Sequence, residues 1–84
     1  MRDIIRKRLI DKYTTNLEVE EREIVVIKEF LEEDEAEIEI MAGLGVDAPH
    51  SEQLVKSKKL EIEKKEGHIN HLKDVLNVLN TRII

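Results

Sequence analysis

Gly43-Leu44-Gly45-Val46-Asp47-Ala48-Pro49-His50-Ser51 decides how this chain folds. The stretch holds two of the three glycines and the only proline in 84 residues. Gly43 suits the position just past a helix C-terminus, where a left-handed backbone is needed. Asp47 or Ser51 can cap the next helix, and with Asp47 as cap Pro49 falls in the first turn, where a missing N–H costs little. No other stretch breaks the chain comparably. Thr14-Thr15-Asn16 is a weaker interruption, because β-branched and short polar residues favour caps over helix interiors.

On both sides of this loop the apolar spacing is helical. Leu17, Ile24, Leu31 and Ile38 recur every seven residues, with Ile27 and Met41 three residues on from such positions. After the loop Val55, Ile62, Ile69, Leu76 and Ile83 repeat the spacing, with Leu72 and Leu79 between. This is the a/d pattern of a coiled-coil seam, and no stretch sustains the period-two alternation of a strand. Carried backwards, the register puts Ile10 at a and Tyr13 at d. The spacing therefore predicts an all-α fold, an antiparallel, coiled-coil-like two-helix hairpin in a single domain spanning 1–84. A helical N-terminal segment (2–13) is continuous with or kinked from a central acidic helix (14–42); a loop (43–50) and a C-terminal helix (51–82) follow. Folding about Val46 pairs Leu31 with Ile62, Ile38 with Val55 and Ile24 with Ile69.

Charge supports the same arrangement. Residues 1–13 carry a net +3, residues 14–41 a net −9, residues 42–52 a net −2 and residues 53–84 a net +3, within a total of −5. An acidic element followed by a basic one suits two helices lying side by side. Asp34, Lys58 and Lys65 fall at d positions inside the seam, and the pairing sets Asp34 opposite Lys58 or Lys59. A polar layer of this kind sets register and orientation at some loss of stability.

Composition excludes several classes. There is no cysteine, hence no disulfide framework, thiolate nucleophile or cysteine-based zinc site. The longest apolar run is four residues, Ile24 to Ile27, too short to span a membrane, and the charged start reads as no secretory signal. The expected setting is cytoplasmic, and eleven isoleucines with nine lysines suggest a bacterial or phage source. Ser51 and Ser57 are the only serines and neither sits in a strained nucleophile turn. No Gly-rich phosphate loop is present. The reading is of a chain that is not an enzyme, with no catalytic residues, metal ligands or cofactor.

Three features bear on partners. Val19, Val26 and Ile40 share one heptad position outside the a/d seam, with Phe30 beside them. A two-helix hairpin buries one stripe of each helix, so this second stripe asks for another occupant: a second copy, the folded-back N-terminal segment or a different protein. Val19, Val26, Phe30 and Ile40 are the candidate interface, and a homodimer forming a helical bundle is the expected assembly. His68, His71 and Asp74 run at i, i+3, i+6, but the spacing alone reads as surface histidine. Two basic clusters, Arg2, Arg6, Lys7, Arg8 with Lys12 and Lys56, Lys58, Lys59, Lys64, Lys65, could meet phosphates, though no aromatic residue interleaves either one and the total charge is acidic.

Ser57-Lys58-Lys59-Leu60-Glu61 faintly resembles the Ser-Gln-x-Leu-Asp signature of Spo0E-like proteins, small helical hairpins that act on phosphorylated response regulators. Ser57 and Leu60 match, Lys58 stands for the Gln and Glu61 for the Asp. The functional classes therefore rank as a small regulatory or adaptor protein acting through helix faces, then a nucleic-acid-associated regulator, then a phosphatase of that type.

Overall fold

The computed structural model describes residues 2–81. They form two helices, α1 (Asp3–Gly43) and α2 (Pro49–Thr81), and no strand occurs among them. The expected helical residue Arg82 and seam residue Ile83 lie outside the described residues. The molecule is a rod of 64 × 15 × 15 Å, close to the roughly 61 Å that 41 helical residues span at 1.5 Å each.

α1 is uninterrupted. The Thr14-Thr15-Asn16 stretch is helical, and the N-terminal segment continues the central helix instead of folding back. Ile10, Tyr13 and Leu17 are half-buried on either side of it. Such packing outweighs a propensity deficit of about 0.5 kcal/mol per β-branched or short polar residue.

The connection is shorter than expected, residues 44–48. The left-handed glycine is Gly45, at φ +72°, not Gly43, which closes α1 in helical conformation. The backbone hydrogen bonds explain the shift. The Gly45 N–H donates to the Ala42 carbonyl at 3.0 Å and the Val46 N–H to the Met41 carbonyl at 2.9 Å. These are the two bonds of a Schellman closure, and they satisfy carbonyls that a helix C-terminus otherwise leaves open. At the start of α2 the Glu52 N–H donates to the Ala48 carbonyl at 3.0 Å. Ala48 thus occupies the cap position expected of Asp47 or Ser51, and Pro49 is the first helical residue. Ser51, already inside the helix, donates from Oγ to Glu37 Oε2 at 3.3 Å, a cross-link at the closed end of the rod.

α2 runs back along α1. Lys58 pairs with Asp34 near the turn and Lys65 with Glu23 and Glu20 farther from it, so α1 numbers fall as α2 numbers rise; Lys28 also reaches across to Glu66. The a/d positions line the contact. Among the described residues Ile24, Val55, Ile62, Ile69, Leu72 and Leu79 are the buried apolar ones. Ile24, Ile62 and Ile69 form one cluster, with Leu17, Ile27 and Leu31 packed against it. Ile62 and Ile69 are two turns apart, about 10 Å, so Ile24 is the side chain that joins them. Ile24 is clustered with Ile69, as the fold-back pairing expects, and with Ile62 as well. Met41, expected in the seam, is exposed, because α2 begins only at Pro49 and gives α1's last turn little to pack on.

Candidate interaction surface

Two charged groups are set into the seam. Asp34 is 8% exposed and the only buried charged residue among those described. Its Oδ2 accepts from the Lys58 ammonium, so the polar layer expected from the heptad register is present. The same ammonium lies 5.7 Å from the centroid of the Phe30 ring, within the range of a cation–π contact. One turn along α1 therefore holds both the carboxylate and the aromatic face that receive Lys58.

The second group centres on Lys65. Its Nζ lies 2.6 Å from Glu23 Oε2 and 3.4 Å from Glu20 Oε2. The hydrogen bond to Glu23 raises the Lys65 pKa above its ordinary 10.5; burial opposes this, and Glu20 adds to the rise. His68 Nδ1 stands 3.6 Å from the same Glu20 oxygen. Glu20 was legible in principle: it lies fourteen residues before Asp34, at the same heptad position.

The remaining sequence candidates are placed as follows. His71 and Asp74 line a shallow groove with Val75, Val78 and Leu79. Among the described residues no three His, Asp or Glu side chains converge as metal ligands do. Glu32, Glu33, Glu35, Glu37 and Glu39 are exposed around α1. Of the lysine cluster on α2, Lys58 and Lys65 turn toward α1, which leaves Lys56, Lys59 and Lys64 exposed. Arg2, Lys7, Arg8 and Lys12 are exposed along the first turns of α1.

The second apolar stripe is open. Val19, Val26, Phe30 and Ile40 are 41, 48, 52 and 63% exposed. Val25 joins them, and Val25 and Val26 line a shallow groove with Glu18, Glu21 and Arg22. Phe30 differs from the aliphatic residues in bordering the seam through Lys58. α2 exposes Leu60 and Val78 as well. No described helix is long and apolar enough to cross a membrane.

The chain matches no known protein-family model, and comparison with curated proteins and with solved structures gave no match either.

Proposed function

We propose that this chain is a small non-enzymatic regulatory or adaptor protein that works by protein–protein contact through its helix faces, as a homodimer forming a helical bundle. The observation that carries the reading is the open aliphatic stripe Val19, Val26 and Ile40, widened by Val25, on the side of α1 away from the seam. Burying such side chains contributes about 1.5–3 kcal/mol each. The one intrachain occupant weighed for the stripe, a folded-back N-terminal segment, is excluded by the continuity of α1.

Surface area supports the same conclusion. The chain exposes 6548 Å², whereas a compact monomer of 9.8 kDa exposes about 5,200 Å². A standard interface removes about 800 Å² per partner, so the rod has ample surface to lose. Inward-turned Lys58 and Lys65 thin the basic face of α2, which favours protein contact over phosphate contact.

The test is sedimentation over a range of protein concentrations, with circular dichroism alongside. Val19→Asp with Val26→Asp should weaken self-association more than tenfold and leave the rod helical, since an unpartnered charge at an apolar contact is costly. Lys56→Glu with Glu63→Lys, exposed on α2, keeps the net charge and should change neither. A wild type that stays monomeric at every concentration refutes the homodimer. Moderate salt should weaken the association by less than about tenfold, whereas binding through phosphates would fall far more steeply.

A further inference from the structure

The outer face of α1 is complementary to itself when read backwards. The heptad position that holds Val19 and Val26 comprises Ile5, Lys12, Val19, Val26, Glu33 and Ile40, and all six are exposed. Reversed about a point between Arg22 and Glu23, apolar residues meet apolar residues and the one base meets the one acid. We infer, building on the self-association proposed above, that a second copy docks antiparallel on this face, α1 against α1, with the dyad between Arg22 and Glu23. Ile5 then lies beside the partner's Ile40, Lys12 beside the partner's Glu33 and Val19 beside the partner's Val26, each pairing occurring twice by symmetry.

Orientation and register are both selected. A parallel copy sets Lys12 against its own equivalent, Glu33 likewise, and aligns the acidic runs of residues 29–39 with each other. The antiparallel copy instead lays the basic first turns, net +3 over residues 1–13, along that acidic run. Sliding the antiparallel copy by one heptad in either direction puts Lys12 against an aliphatic residue and Glu33 against another, so both ion pairs and the Ile5–Ile40 match are lost and only a Val19 or Val26 self-pairing remains. The stripe from Ile5 to Ile40 is about 53 Å long, enough for a contact of standard size. The groove formed by Glu18, Glu21, Arg22, Val25 and Val26 lies beside the dyad, where an antiparallel partner helix crosses.

The chain's lack of cysteine makes the test direct. Arg22 makes only an exposed contact with Glu18, 3.8 Å away on its own helix, so Arg22→Cys should leave the fold intact. Placed next to the dyad, it should form a disulfide-linked dimer on its own under mild oxidation. Lys12→Cys and Glu33→Cys should each stay unlinked alone and form a mixed disulfide when combined. In low salt Lys12→Glu or Glu33→Lys should weaken association about tenfold, two exposed ion pairs being lost per dimer. The double exchange Lys12→Glu with Glu33→Lys should restore it to within about threefold of wild type. Lys12→Cys linking to itself would show a parallel contact and overturn the inference. A sedimenting dimer with neither the Arg22→Cys link nor rescue by the double exchange overturns this register alone and leaves self-association standing. A wild-type monomer at every concentration overturns both.

Discussion

Replacing Lys58 by Met removes the ammonium that Asp34 depends on while keeping most of the stem. The Asp34 side chain is 12% exposed and that of Lys58 22%. Breaking a fully buried pair on one side costs about 3–5 kcal/mol. Here some water reaches both groups, so Lys58→Met should cost about 2–3 kcal/mol. Asp34→Leu is not its mirror image. The orphaned Lys58 has a long flexible stem and can carry its charge outward past Phe30, while leucine adds apolar burial beside Leu31 and Ile38. That variant should lie within about 1 kcal/mol of wild type. The double variant Asp34→Leu with Lys58→Met makes the layer apolar and should be as stable as wild type or more so, by up to about 3 kcal/mol. Urea denaturation followed by circular dichroism, at one fixed protein concentration because the proposed association would contribute to stability, gives all four corners of the cycle. In thermal melts each kcal/mol corresponds to about 4–8 °C for a domain of this size. Equal losses for the two single variants, or a larger loss for Asp34→Leu, would show that the carboxylate does not depend on Lys58 and refute the reasoning.

Other outcomes follow from the same geometry. The Lys65 pKa is raised in the fold, so its pairing contributes fully below the ordinary lysine value of 10.5 and is lost as pH climbs through the raised folded value; the alkaline fall in stability should be shallower in Lys65→Met than in wild type. Gly45→Ala should cost about 1 kcal/mol by forcing a side chain into the left-handed region. By contrast Gly67→Ala, whose added carbon meets nothing within 4 Å in mid-helix, should stabilise by about 0.5–1 kcal/mol, and melts of the two variants compare them directly. With no set of metal ligands converging around them, His68→Gln with His71→Gln should leave the melting temperature unchanged with or without added zinc; a zinc-dependent rise lost in the double variant would contradict this.

What could be read ahead of the structure was what periodicity carries. The seven-residue spacing marks the seam, the Gly/Pro stretch marks the reversal, and the heptad places Asp34 and Lys58 at facing positions. Each of these depends on neighbours along one helix or on a single rotation of the chain. The details that differ depend on the hydrogen bonds of a single turn or on how side chains meet across the hairpin. Ile24 joins Ile69 as the fold-back pairing expects, and its place beside Ile62 as well comes from side chains meeting across the hairpin, which the spacing of one helix does not show. Gly43 and Gly45 are equally suited to a left-handed closure, and the choice falls to the one that completes both hydrogen bonds to Met41 and Ala42. On the candidate surface, Val19, Val26 and Ile40 stood out because they share a heptad position. The role of Phe30 against Lys58 did not, because it requires knowing which flank of the seam the lysine crosses.

The two helices are covered unequally, and that inequality links the fold to the proposed assembly. Among the described residues α2 supplies five of the six buried apolar side chains, while on α1 Ile24 alone reaches that state. Leu17, Ile27, Leu31 and Ile38 on the α1 seam remain half-buried, and the opposite side of α1 carries the open stripe. Charges take part of the room that apolar side chains would otherwise fill, Asp34 with Lys58 and Glu20 and Glu23 with Lys65. Such layers align the helices more than they stabilise them. A rod of 84 residues with so few buried side chains is marginal as a monomer, and α1 is the helix with the most surface left to cover. A second copy of α1 laid on that surface would bind only the folded form, because the stripe exists only while the helix does. Association and folding would then be one equilibrium, drawn toward the fold by protein concentration through mass action. In that arrangement the charged seam selects which helices align, and the outer stripe supplies the burial that the seam gives up.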